Sequence, residues 1–204
     1  MDVRQHWDEV YRQKAEQDVS WFQAEPALSL DLIRRAGVAK QEPIVDVGAG
    51  ASRFVDRLLA EGYSDLTVLD IAEAALQKSR ARLGSAADRV NWIAADVTCW
   101  QPAKRYRLWH DRAVFHFLTE AADRAAYRKT LGSALMPQGI AIIASFALDG
   151  PERCSGLPVQ RYSPESLAAE LGEDFRLLEQ KSEAHITPAG KLQLFQYSVF
   201  RRKA

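Results

Sequence analysis

At 204 residues with 47% hydrophobic side chains, the chain carries enough apolar material for one α/β core and too little length for two full domains. Its 27 basic and 27 acidic residues cancel, which removes a global electrostatic drive toward nucleic acid. No apolar run approaches the roughly 18 residues of a membrane span, the start from Met1 to Asp8 is too polar for a signal core, and a cytosolic location is expected. In a reducing cytosol Cys99 and Cys154 would stay thiols, and they show no metal-type pairing, so neither a disulfide scaffold nor a metal is expected.

In chain order, the first 42 residues read as a helical and aromatic cap. It comprises an amphipathic helix marked by Trp7, Val10, Tyr11 and Lys14, a loop with Ser20-Trp21-Phe22-Gln23, and a helix from about Pro26 to Ala36. From residue 43 to the end, short apolar runs alternate with helical patterns, the signature of βα units on a mostly parallel sheet. Strands are expected at 43–47, ending at 66–70, at 90–95, near 106–110 and at 140–146. Helices are expected after Ser52, over 72–83 and over 120–135, with a turn at Met136-Pro137-Gln138-Gly139. A stretch rich in Gly, Pro and charge, Ala147 to Tyr162, precedes a helix that opens at Ser163-Pro164-Glu165, where Ser caps and Pro fits the first turn. Segments 176–185 and 192–200, separated by Thr187-Pro188-Ala189-Gly190, read as a hairpin added to the sheet edge. The whole chain, 1–204, is expected to form one domain.

The turn Val45-Asp46-Val47-Gly48-Ala49-Gly50-Ala51-Ser52 joins a buried strand to a helix, and its glycines let the backbone pass close to a ligand at a sheet switch point. A dinucleotide fingerprint needs a third glycine where Arg53 stands. Asp46, at the strand end, favours a cationic ligand over a pyrophosphate. Asp70, twenty positions after Gly50, suits the two hydroxyls of a ribose, with Ile71 beside it. Asp96, followed by Val97, stands at the end of the third strand. Each acid alone is compatible with a helix cap or a turn; three at successive strand ends point to one site.

These residues resemble the class I methyltransferases, with Ser52 departing from a common third glycine. The resemblance implies S-adenosylmethionine as cofactor and an α/β, Rossmann-like seven-stranded sheet of order 3-2-1-4-5-7-6, mostly parallel with an antiparallel C-terminal hairpin. It implies cofactor contacts from Asp46, Gly48, Gly50, Ser52, Asp70, Ile71, Asp96 and Val97.

The segment Leu108-Trp109-His110-Asp111-Arg112-Ala113-Val114-Phe115-His116 lies where that fold faces the transferred methyl group. Together with the N-terminal Trp-x-x-x-Tyr, Trp21-Phe22-Gln23 and the Gly150-Pro151 to Val159 loop, it is similar to the thiopurine and tellurite-resistance methyltransferases. By that resemblance Arg112 lies near the substrate and Trp21 helps close the cofactor pocket. Asp111, Arg112 and His116 are the candidate catalytic residues; His116 reads also, and more readily, as a partly buried helix residue with a satisfied ring. Cys154 lies in a loop long enough to be a lid, as a soft ligand or as an inert thiol.

Methyl transfer is an in-line displacement in which positioning supplies much of the rate. The expected acceptor is a small soft nucleophile: a thiol, or a selenium or metalloid compound. Elongation-factor lysine methyltransferases share the N-terminal motif, so protein lysine methylation is the alternative, and a cofactor-binding regulator without turnover is a third reading. Small-molecule partners are expected, with no nucleic acid and no membrane, and a monomer or weak dimer.

Overall fold

The computed structural model describes residues 2–204. Five parallel strands, β1 (Ile44–Val47), β2 (Leu66–Asp70), β3 (Val90–Ala94), β4 (Tyr106–Arg112) and β5 (Leu135–Phe146), form the sheet with an antiparallel hairpin of β6 (Phe175–Ile186) and β7 (Leu192–Arg202). The spatial order is 3-2-1-4-5-7-6, as the resemblance implies. A two-residue ribbon, Arg153–Cys154 against Leu157–Pro158, lies apart from this sheet within the long loop that follows β5. Helices α1 (Val3–Gln13), α2 (Ala27–Arg35), α3 (Phe54–Ala60), α4 (Glu73–Leu83), α5 (Ala121–Ala134) and α6 (Pro164–Leu171) complete the fold. None is long and apolar enough to cross a membrane.

Side chains alternate between the two faces of a strand, and here both faces are covered. Ile44, Leu108, Ile140 and Ile142 join Leu30 and Ile33 of α2 and Phe54 and Val55 of α3 in one apolar layer. Val45, Trp109, Ala141 and Ile143 join Tyr127 and Leu131 of α5 and Leu167 of α6 in the other. The alternation therefore sends Asp46 and His110 toward α2 and α3, and Asp111 toward α5.

The hairpin closes at Thr187 to Gly190 as expected: Lys191 N–H donates to Thr187 Oγ1 at 3.0 Å, and Gly190 sits at φ +75°. Ser163 caps α6, paired reciprocally with Ser166 rather than with an acid. Met136 to Gly139, expected as a turn before the strand, lies within the span of β5. The four residues bulge out between the pairs Tyr106–Leu135 and Leu108–Ile140, with Gln138 in the left-handed region at φ +60°. The first helix stops at Gln13, and Lys14 serves as its extended C-cap.

Helix α4 has no capping side chain of its own. Asp8, one turn into α1, supplies it by accepting from Ala74 N–H at 3.0 Å, which satisfies an otherwise orphaned donor and fixes α1 over the second βα unit. Asp8→Ala is expected to cost about 1 kcal/mol of stability by urea unfolding, the worth of a typical cap, and to speed proteolysis within residues 2–23. An unchanged cleavage pattern would show that α1 docks without it.

Candidate active site

A cavity of about 210 Å³ opens over the carboxyl ends of the parallel strands. Its floor is Gly48, Asp70, Ile71, Asp96 and Val97, and its roof is Trp7, Tyr11, Trp21 and Cys154. Arg112, Val114 and Phe117 wall the remaining side. A smaller cavity of about 40 Å³ adjoins it; Asp46 and Ser52 line this one, and Gly48, Trp21 and Arg112 are common to both.

The floor is shaped by the glycine turn. Gly48 and Gly50 adopt φ of +61° and +57°, conformations that L side chains rarely take. A Cβ on Gly48 would fall 1.8 Å from Val114 Cγ2, and one on Gly50 would fall 2.1 Å from Tyr11 Oη. Gly50 lines neither cavity; its N–H donates to Asp70 Oδ2 at 2.7 Å, fastening the turn to the end of β2. The Ala51 and Ser52 carbonyls accept from Arg82 at 3.0 and 2.7 Å. Arg82 also pairs with Asp56 at 2.8 Å and Glu16 at 2.6 Å, so a half-buried guanidinium holds the turn, α4 and the cap together. Burial opposes ionisation of Glu16, but hydrogen bonds from Arg53 and Arg82 outweigh it and hold its carboxyl below the usual range. The Ser52 hydroxyl accepts from Phe54 N–H at 3.1 Å at the start of α3.

The three acids are set differently. Asp70 is buried, and its second oxygen accepts from Ala72 N–H at 2.8 Å; burial raises its carboxyl to about 6 against the pull of these two donors. Asp96 uses one oxygen for both the N–H and the hydroxyl of Thr98, at 2.8 and 2.7 Å, and its other oxygen makes no hydrogen bond among the described residues. Asp46 is buried with Oδ1 held by His110 Nδ1 at 2.7 Å, while Oδ2 has no hydrogen-bond partner among the described residues.

Of the expected catalytic residues, only Arg112 reaches the cavity. Its Nε donates to Tyr197 Oη at 2.9 Å, one terminal nitrogen to the Trp21 carbonyl at 3.1 Å and the other to Glu183 at 3.3 Å, above the Phe195 ring. In register, Arg112 lies beside Ala144 and Ala144 beside Tyr197, so a small residue lets the guanidinium extend across β5 to β7. Asp111 lies on the opposite face and lines neither cavity. Its carboxylate accepts from the N–H groups of Val114 and Phe115 at 2.9 and 3.2 Å and from Tyr127 Oη at 2.6 Å. Burial, against these donors, lifts Asp111 to about 6. His116 also lies behind the wall. Its Nδ1 accepts from Phe146 N–H at 3.2 Å, and burial, with the Arg112 charge, lowers it to about 3. The geometry thus gives Asp111 and His116 a place in the fold, not against a substrate.

Glu183, Tyr197 and Phe195 were not legible as site residues in the sequence, because the hairpin pattern says nothing about which side chains meet Arg112. The Trp-x-x-x-Tyr spacing, by contrast, does carry the roof: Trp7 and Tyr11 are one helical turn apart and both meet Trp21, with ring centroids at 5.6 and 6.1 Å. Ala113, beside Arg112, is left-handed at φ +76°, a strained conformation for a residue with a side chain.

The methyltransferase-domain family model matches residues 44–139, from the start of β1 through the bulge of β5. Malonyl-[acyl-carrier protein] O-methyltransferase 2 of Ilyobacter polytropus is 26% identical over 107 residues, covering 52% of this chain and 40% of that protein. The chain thus spans well under half of this curated relative. Among solved structures, one determined for the conversion of a disulfide bond into a thioacetal group during echinomycin biosynthesis has a TM-score of 0.77 at 20% identity, covering 98% of this chain and 92% of the other. The N-methyltransferase NodS of Bradyrhizobium japonicum, in complex with S-adenosyl-L-homocysteine, has a TM-score of 0.72 at 16% identity, covering 98% of this chain and all of its own (100%). The glycine turn and the strand-end acids Asp70 and Asp96 thus surround one cavity in a chain whose residues 44–139 match a methyltransferase domain and whose fold is that of the class I methyltransferases.

Proposed function

We propose that the protein methylates a small soft nucleophile, a thiol or a selenium or metalloid centre, in the manner of the thiopurine and tellurite-resistance branch. The observation that carries this reading is the make-up of the cavity wall. Among the described residues its titratable side chains are Tyr11, Asp70, Asp96, Asp123, Arg112 and Cys154, with no histidine or lysine. Burial, reinforced by the charge of Asp70, raises the Tyr11 phenol well above its ordinary range, and burial lifts the Cys154 thiol to about 11. His110 is engaged on both ring nitrogens, by Asp46 and by Ser29. Asp123 stands exposed at the rim.

An ammonium acceptor must lose a proton before it can attack, and the carboxylates of this wall are taken by the cofactor, Asp70 and Asp96, or stand at the rim, Asp123. A thiol of unperturbed pKa about 8.5 supplies thiolate unaided. The aromatic roof of Trp7, Trp21 and Phe117 suits a polarisable atom. The echinomycin neighbour, whose chemistry concerns a disulfide, supports a sulfur acceptor.

Asp70 would hold the ribose hydroxyls, Asp96 the adenine amino group and Val97 its ring, with Asp46 toward the ammonium. When bound, S-adenosylmethionine supplies a methyl group on a positive sulfur, which leaves as S-adenosylhomocysteine when the acceptor's lone pair attacks. The residues of this chain hold the partners in line and exclude water; Arg112, at the wall, favours an acceptor carrying negative charge. The protein is proposed to act on small molecules as a monomer or weak dimer.

Two measurements test this reading. Because Asp70 titrates near 6, affinity for S-adenosylhomocysteine by calorimetry should be level above neutral pH and fall as pH drops through 6, when the acceptor carboxylate is lost. Asp70→Asn should bind about tenfold more weakly at neutral pH with a flatter profile; a wild-type affinity constant down to pH 5 excludes the assignment. In an acceptor screen with labelled cofactor, label should pass to thiols, selenite, arsenite, tellurite or thiopurines, and Arg112→Ala should lower turnover more than cofactor affinity. Label appearing instead on protein lysines of a lysate would establish the lysine reading.

A further inference from the structure

Asp46 and His110 are direct neighbours in the register of β1 and β4, and the alternation of both strands turns them to the face covered by α2. There the imidazole lies between two oxygens: Nδ1 is 2.7 Å from Asp46 Oδ1 and Nε2 is 2.9 Å from Ser29 Oγ. All three side chains are buried, with relative exposures of 4% for Asp46, 3% for His110 and 0% for Ser29, and the Phe54 ring lies over the imidazole at 4.2 Å. One tautomer satisfies the row. The Ser29 hydroxyl donates to Nε2, Nδ1–H donates to Oδ1, and the negative charge of Asp46 is left with Oδ2 as its unpartnered end. Asp46, His110 and Ser29 all line the smaller cavity, which shares Gly48 and Arg112 with the larger one.

We infer that His110, backed by Ser29, is a positioning residue that holds Asp46 with Oδ2 presented to the ammonium of the amino-acid half of the cofactor. The inference rests on the cofactor reading above and adds to it residues that no glycine-turn motif contains. A carboxylate on a free rotor in this apolar layer would turn toward any donor within reach; one held by a ring that is itself held from α2 has a single orientation. The arrangement also makes recognition of the amino-acid half depend on the cap, since Ser29 belongs to α2 and not to the sheet.

The test compares two ligands that differ only at that end. S-Adenosylhomocysteine carries the amino-acid half; 5′-methylthioadenosine keeps the adenosine and the sulfur and lacks it. By calorimetry on the full chain, His110→Ala should weaken S-adenosylhomocysteine about tenfold, the loss of one charge-assisted contact, and leave 5′-methylthioadenosine unchanged. Ser29→Ala should act in the same direction and less strongly. His110→Asn, whose amide nitrogen can stand in for Nδ1–H, should recover most of the lost affinity. Should His110→Ala fail to fold, the Ser29→Ala and His110→Asn pair carries the same comparison. Parallel loss of both ligands, or no loss of either, overturns the positioning role while leaving the cofactor reading intact. A wild-type protein that binds neither ligand overturns the cofactor reading itself.

Discussion

The roof of the cavity hangs on one guanidinium. Arg112 ends β4 with its side chain only 10% exposed and gives separate donors to the cap, through the Trp21 carbonyl, and to the C-terminal hairpin, through Glu183 and Tyr197. Gln23 and His185 complete the joint: Gln23 donates to Glu183 at 2.9 Å, and His185 Nε2 lies 2.7 Å from the Ser20 carbonyl. Desolvating the Arg112–Glu183 pair costs about what its attraction returns, so the pair is a poor source of net stability, yet removing one partner strands the other. What the joint supplies is a single arrangement in which residues from both ends of the chain meet over the Arg112 side of the cavity.

Such a joint leaves no trace in local sequence. Arg112 and Glu183 lie 71 positions apart and Arg112 and Tyr197 85 apart, and nothing in a period-2 pattern says which hairpin residues face which strand. The glycine turn and the three acids were legible because each is local: a strand end, a turn that demands positive φ, and a carboxylate at the next strand end. Residue spacing alone carries that information. The Trp-x-x-x-Tyr signature was legible for the same reason, since helical spacing fixes which side chains share a face.

Asp111 and His116 show the other limit. Asp111 and Arg112 are both candidate catalytic residues in the sequence, but consecutive residues of a strand point to opposite faces. Once Leu108, Ile140 and Ile142 are placed on one face and Trp109, Ala141 and Ile143 on the other, Asp111 must join the second group. There Tyr127 and two backbone donors engage it, and it shapes the turn that carries Val114 over Gly48. Strand alternation alone fixes the side on which Asp111 lies. It does not fix that of His116, since the three-residue turn Phe115–Phe117 has no period to read.

The cap is fastened in a way that bears on access to the cavity. Among residues 2–25 only Tyr11 and Val19 are buried, with Trp7 and Trp21 packed partly buried beside Tyr11, so this segment rests on a small aromatic cluster and on discrete polar contacts. These include Asp8 to Ala74, the Lys14 carbonyl to Lys78, Glu16 to Arg53 and Arg82, the Ser20 carbonyl to His185, the Trp21 carbonyl to Arg112, Gln23 to Glu183 and Glu25 to Arg57. Each is worth on the order of 1 kcal/mol, whereas α2, with Leu30, Leu32 and Ile33 in the core, is anchored by burial. The Asp46–His110–Ser29 row lies on the side anchored by burial, and Tyr11, Trp7 and Trp21 on the side held by these contacts, so the two halves of the cavity rest on different kinds of interaction.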